Sequence, residues 1–349
     1  MSRAIKFSLC FSLALCVGAA CFAQLAVPST PLTVGDDLPM IQAAPYSNFS
    51  DPQCDRDGTV YLRQETTDDR SWDVVKISSD GSAGQVDLAA VPGFGDTHTF
   101  VMATAEGGSV HEILRARDEN DKGEAPSIYY VQFDADGSFR SRERFKHEFV
   151  PSMLLPLPSG DFFAAGVVIK QQSGGNDGEE TPLAGIFDSD ARLESKLQRA
   201  SAKSIGRANG GAQSGSETDA DAMQQGGFAR LGDDGNIYVL LPETNTRVRV
   251  YRQTGQFLRE MTLQQPFQEG LVTGAWVSGG RLLVAYEGEA DNPQDAFTYI
   301  LYDARSGDLI RAYRPQFMGM VACFQNGQSL TLLVKKYSGQ LAITTAELQ

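Results

Sequence analysis

Short alternating runs, each interrupted by a polar residue and a glycine and then resumed, recur along this chain. Residues 248–263 show the pattern best, reading Val-Arg-Val-Tyr-Arg-Gln-Thr-Gly-Gln-Phe-Leu-Arg-Glu-Met-Thr-Leu around Gly255. A two-residue period predicts strands with one buried face, and the glycine turn folds the second strand back on the first. Related copies are 74–77 before Asp80-Gly81, 130–133 before Asp136-Gly137, 185–187 before Asp188, and 300–303 before Ser306-Gly307.

A second series of turns precedes these. Gly58, Gly108, Gly160, Gly235, Gly280 and Gly327 each open a β-rich run, as in Asp57-Gly58-Thr59-Val60-Tyr61 and Asp234-Gly235-Asn236-Ile237-Tyr238. Their spacings are 50, 52, 75, 45 and 47, and the long interval contains a Gly-, Ser- and Ala-rich stretch at 201–227. Setting that stretch aside leaves six units of about 50 residues, whereas stacked sandwich domains would repeat at roughly 100. Helical spacing is confined to 193–202. Each unit reads as strands A to D with tight A–B and C–D turns, so the predicted fold is all-β: a six-bladed β-propeller of four-stranded antiparallel blades. On these turns and this period, residues 30–349 resemble the six-bladed propellers of the NHL and TolB-like superfamily. The resemblance implies an architecture and no particular activity.

The sixth unit supplies strands at 330–335 and 341–348 and is then one strand short. Residues 31–38 lack a partner in their own unit and are expected to close the last blade as its outer strand, covering an open sheet edge. Cys54 and Cys323 each stand four residues before the turn glycine of units one and six. Ring closure would make those units neighbours, leaving two outcomes for the pair: a disulfide, or two buried thiols.

Composition adds a destination. Arg3 and Lys6 precede an apolar run at 7–23, which reads as a signal peptide of residues 1–23 ahead of a single propeller domain, 24–349. The expected location is periplasmic or extracellular, the alternative being lipid attachment at Cys21, where Gly18 occupies the place of the usual branched aliphatic residue. No later run is suited to spanning a membrane. The formal net charge of -14 disfavours nucleic acid and favours cationic partners. A monomer is expected.

In a propeller the A–B and C–D turns share one face, and the B–C loops and interblade linkers share the other. The longer loops all fall on the second face, and binding usually resides on such loops. They are acidic, carrying Asp118, Asp121, Glu124, Asp177, Glu179, Glu180, Glu287, Glu289, Asp291 and Asp295. These residues form the candidate binding face for a protein, peptide or glycan. The insertion at 203–225, between units three and four, is expected to be flexible and dispensable for folding.

Familiar catalytic motifs are absent. There is no Gly-x-Ser-x-Gly elbow and no glycine-rich phosphate loop. His98, His111 and His147 match no zinc spacing. The Asp-Gly pairs read as hairpin turns, and Lys122 occupies a ligand position in the one stretch nearest a calcium loop, 118–123. No cofactor is therefore called for, and the leading expectation is a non-enzymatic binding module. The alternative is a calcium-dependent propeller enzyme of the gluconolactonase type with a central-channel metal. Its candidate ligands are Asn48, Asp51, His98 and Ser152 at the starts of inner strands, although Gly226, Gly274 and Gly319 offer nothing at the corresponding later positions.

Overall fold

The computed structural model describes residues 29–35, 49–55, 57–65, 72–78, 82–119, 125–170, 179–197, 219–224, 226–241, 246–265, 271–288, 297–315, 319–335 and 341–349. A short strand β1 (Ser29–Pro31) is followed by six antiparallel sheets. Blade one comprises β2 (Phe49–Cys54), β3 (Val60–Glu65), β4 (Trp72–Ile77) and β5 (Ala83–Val86). Blade two comprises β6 (Phe94–Thr104), β7 (Val110–Asp118), β8 (Ser127–Phe133) and β9 (Phe139–Arg144). In blade three these are β10 (Glu148–Pro156), β11 (Phe162–Lys170), β12 (Glu179–Phe187) and β13 (Leu193–Lys196). A helix, α1 (Asp219–Gln224), precedes blade four, which holds β14 (Phe228–Leu231), β15 (Ile237–Leu241), β16 (Arg247–Tyr251) and β17 (Phe257–Thr262). Blade five is built from β18 (Leu271–Ser278), β19 (Arg281–Glu287), β20 (Phe297–Asp303) and β21 (Leu309–Arg314). Blade six has three strands, β22 (Gly319–Gln325), β23 (Ser329–Lys335) and β24 (Leu341–Glu347). The fold is a six-bladed β-propeller.

All six A–B turn glycines adopt positive φ, which L side chains rarely reach. At Gly137, in the C–D turn of blade two, a second reason applies. A Cβ there would collide with the Asp87 carbonyl, and Ala89 donates its N–H to the Gly137 carbonyl at 2.9 Å. The turn thus docks onto the chain leaving blade one.

The core is divided between neighbouring sheets, because each blade has two apolar faces and each face needs a cover. Six buried clusters result. Blades one and two share Tyr61, Leu114 and Phe133; two and three share Tyr130, Phe162 and Phe187; three and four share Phe163, Ile186 and Tyr251. Tyr238, Tyr286 and Tyr302 lie between four and five, Leu301, Tyr313 and Leu332 between five and six, and Val60, Ile77 and Leu333 between six and one.

The described part of the closing segment touches both blades five and six. Residues 29–31 run parallel to β21 as a fifth strand of blade five, a pairing that the expected strand of 31–38 did not include. Leu32, 1% exposed, then drops into the core between blades five and six. Val34 and Gly35 then reach the outer strand of blade six, Val34 through an antiparallel bridge to Ala346, with Gly35 N–H donating to Thr345 O at 2.7 Å and Thr344 Oγ1 donating to Gly35 O at 3.0 Å. The physical reason is that burial of Leu32 fixes the crossing point between the two blades. Pro31, which lacks an N–H, sits on an outer edge strand where none is required. Residues 36–38 of the expected strand lie outside the described residues.

Two further expectations change. Residues 193–196 form β13, pairing with β12, and not a helix; their largely exposed outer position removes the alternation that marks a strand. Within 203–225, residues up to 218 lie outside the described residues, but 219–224 form α1. Ala220 and Met223 of this helix are buried with residues of blades three and four. A deletion through 225 would therefore remove packed structure.

Candidate binding cavity on the ring axis

The six A strands β2, β6, β10, β14, β18 and β22 contact one another in succession around the ring and are each paired within a sheet on one side only. Their free edges consequently face the axis. Five of the six have a register shift against their B strand, at Ser50/Gln53, Thr99/Val101, Pro151/Met153, Val272/Gly274 and Val321/Cys323. Bulges of this kind bend a strand and re-aim its side chains.

Where the A strands end, the axis widens into a cavity of about 560 Å³. Every blade contributes: Gln53 and Asp55 from one, Thr104 and Glu106 from two, Leu155 and Pro156 from three, Arg230 and Asp233 from four, Trp276 and Ser278 from five, Phe324 and Asn326 from six. The mouth lies on the A–B turn face, opposite the face carrying the B–C loops.

Hydrogen bonds between blades hold the wall. Gln53 Oε1 accepts from Thr104 N at 2.6 Å and from its Oγ1 at 2.9 Å, tying blade one to blade two. Arg230 Nε donates to Ala275 O at 2.9 Å, and Asp233 Oδ2 accepts from Gly279 N at 2.6 Å, tying four to five. Arg281 donates to Gly327 O at 3.2 Å, tying five to six. Asp55 is committed to its own turn, accepting from Asp57 N and Thr59 N at 3.0 Å and from Tyr61 OH at 3.2 Å. Burial and this carboxylate push the Tyr61 hydroxyl up to about 12. Cys54 lines the cavity too, and its disulfide to Cys323, with Cα atoms 5.4 Å apart, joins the A strands of blades one and six.

Of the expected acidic face, Asp118, Glu179, Glu180 and Glu287 are among the described residues. Asp118 pairs with Arg142 at 2.9 Å on a largely buried surface, so its charge is compensated. Glu179 begins β12, Glu180 is exposed beside it, and Glu287 is exposed at the end of β19. Asp121, Glu124, Asp177, Glu289, Asp291 and Asp295 lie outside the described residues. Of the proposed channel ligands, His98 is exposed with its ring edge-on to Phe100, Ser152 donates to Ala165 O at 3.3 Å, Asp51 lies in β2, and Asn48 is not among the described residues. Among the described residues no three His, Cys, Asp or Glu side chains gather as a metal site requires.

One cluster has the connectivity of a catalytic relay. Ser109 Oγ lies 3.1 Å from His111 Nε2, and His111 Nδ1 lies 2.6 Å from Tyr130 OH. Its electrostatics oppose that role. Burial, with the Arg140 charge nearby, pushes His111 down to about 4, and the partner on Nδ1 is a phenol where a carboxylate would stabilise an imidazolium. The arrangement satisfies a buried imidazole.

The cavity set was missed in the sequence although it follows the repeat. Gln53, Thr104, Leu155, Arg230, Trp276 and Phe324 all stand three to five residues before their turn glycines. That position of the repeat is the signal that marks the cavity, whereas the starts of the A strands mark the other end of the channel.

No protein-family model matches the chain, and no curated protein matches it. Solved structures do. A protein of unknown function from Dyadobacter fermentans shares 10% identity with a TM-score of 0.51, over 91% of this chain and 99% of that one. A putative exported protein from Bacteroides fragilis shares 10% identity with a TM-score of 0.44, over 93% and 96% respectively. The first of these likenesses is one of fold alone. No helix among the described residues is long and apolar enough to cross a membrane.

Proposed function

We propose that this chain is an exported, non-enzymatic binding propeller that receives its ligand in the axial cavity on the A–B turn face. The observation that carries this reading is a preformed hollow of about 560 Å³ to which all six blades contribute, within the size range of small-ligand sites. The interblade hydrogen bonds support it, since a rigid wall spares a ligand the ordering penalty of a mobile loop. Export is supported by the amino-terminal cation-and-apolar pattern and by a disulfide, which persists in oxidising compartments. The NHL and TolB-like resemblance agrees with a scaffold role. Compensation of Asp118 by Arg142 favours the cavity over the acidic B–C loops as the principal site.

The test uses the chain's two tryptophans, Trp72 and Trp276. In a Trp72→Phe variant, Trp276 alone reports on the cavity. A panel of neutral sugars, dipeptides and organic amines is expected to contain a class that changes its emission saturably, and Ser278→Tyr is expected to abolish the response without unfolding the ring. A change that persists in Ser278→Tyr, or none with any class at millimolar concentration, contradicts the reading.

A further inference from the structure

We infer that the ligand class of the axial cavity is a neutral carbohydrate, held against the Trp276 indole; this rests on the binding reading above and narrows it.

The lining groups divide into those already engaged and those left open. The charged ones are engaged. Asp55 accepts three bonds within its own turn, Asp233 accepts from Gly279 N, and Arg230 donates to the carbonyls of Ala275 and Ala229. Glu106 also has a partner. The groups with no hydrogen-bond partner among the described residues are neutral: the Trp276 indole N–H, the Ser278 hydroxyl and the Asn326 amide. None of the three is a buried orphan, so each remains open to a ligand. All three lie on the wall formed by blades five and six.

Apolar surface accompanies them. Trp276 and Phe324 line that same wall, and the indole packs directly across Gly274, where a Cβ would collide with the ring. This glycine, which provides no ligand of its own, therefore leaves the space in which the indole is seated. A flat aromatic surface beside uncommitted neutral donors and acceptors complements a pyranose, which presents C–H groups on one face and hydroxyls around its edge. The free backbone edges of the A strands offer further N–H and C=O groups of the same neutral character. An organic cation would also be attracted by an aromatic face, and it needs a carboxylate to receive it. The lining carboxylates Asp55, Glu106 and Asp233 make such a cation the competing occupant, which the second arm of the titration separates.

The Trp72→Phe protein is titrated in two arms, with neutral disaccharides (maltose, cellobiose, lactose) and with organic cations (choline, arginine methyl ester), at 0.05 and 0.5 M sodium chloride. At least one disaccharide is expected to change Trp276 emission saturably, with an affinity that varies less than twofold between the two salts. The Ser278→Ala/Asn326→Ala variant, with an unchanged melting transition, is expected to weaken it at least tenfold. Gly274→Ala, which displaces the ring, is expected to abolish the emission change. Saturable, salt-sensitive binding of cations alone overturns the carbohydrate assignment and leaves the cavity as a binding site. Silence in both arms and with dipeptides overturns the cavity reading itself.

Discussion

Two of the six interfaces between blades are built differently. Between blades four and five the described buried cluster has fourteen members, including Tyr238, Tyr286 and Tyr302, and it is closed by hydrogen bonds from Tyr286 OH to Tyr302 OH at 3.2 Å and from Tyr302 OH to Gln264 O at 2.6 Å. Between blades six and one the cluster has eight members among the described residues, including Ala322, Cys323, Val60 and Ile343, with no aromatic ring among these eight. The described apolar residues are fewer and smaller at the second interface, and this is where the chain supplies a covalent bond, Cys54 to Cys323. An interface between consecutive blades is held together by the polypeptide itself. The seam joins segments 269 residues apart and has no such tether, so it carries a disulfide, with the strap of residues 29–35 laid across the adjoining blades five and six.

The largest expected effect breaks the seam. Replacing both cysteines, Cys54→Ser with Cys323→Ser, should lower the unfolding free energy by about 5 kcal/mol, the value chain-entropy models assign to so long a loop. Guanidinium titration of the two proteins checks it, and an unchanged midpoint would show that packing alone closes the ring.

Next comes the interface between blades three and four, where α1 is wedged. Arg249, 2% exposed, is ion-paired with Asp219 of the helix and bonded through Nε to Glu260 Oε2 at 2.6 Å; Tyr251 OH also donates to Asp219. Asp219→Ala leaves the buried guanidinium with one carboxylate and is expected to destabilise by about 3 kcal/mol. Arg249→Met together with Asp219→Leu, which removes both charges, should recover most of that loss in the same titration.

The interface between blades one and two provides a pH-dependent comparison. Burial raises Glu112 to about 7, with the Arg63 charge pulling the other way. A carboxyl whose folded value exceeds its unfolded one makes no difference below about 4.5, and its penalty grows as pH rises to 7 and is then constant. Glu112→Gln should therefore leave stability near pH 4 unchanged and raise it by about 3 kcal/mol above pH 7. His111, pushed down to about 4, acts in the opposite sense, losing stability as pH falls from 6.5 to 4. Thermal melts of both proteins from pH 4 to 8 resolve the two. The smallest effect belongs to the well-packed interface: Tyr302→Phe removes one hydroxyl and its bond to Gln264 O, and about 1 kcal/mol is expected.

Much of this architecture was legible in the sequence because its determinants are local. A positive φ at Gly58 or Gly235 requires glycine, and an outer strand such as 257–262, with Met261 buried between exposed Glu260 and Thr262, alternates, so turns and strands mark themselves. The strap's pairing with blade five was not legible, because it depends on one buried side chain, Leu32, and on a parallel pairing that leaves no periodic trace in three residues. Helix α1 was concealed by the polar, glycine-rich stretch before it; only Ala220 and Met223 mark its buried side, too few for a period. The cavity was hidden for another reason. Gln53, Arg230 and Trp276 have no common chemistry, and only the closed ring brings them to one axis.

Adjacency of blades one and six is the claim on which the seam, the axis and the cavity all depend, and it has a direct measurement. Protein recovered from an oxidising compartment, digested without reduction under thiol-blocking conditions and examined by mass spectrometry, should yield one peptide containing Cys54 linked to one containing Cys323. Recovery of both cysteines as blocked free thiols would contradict the account.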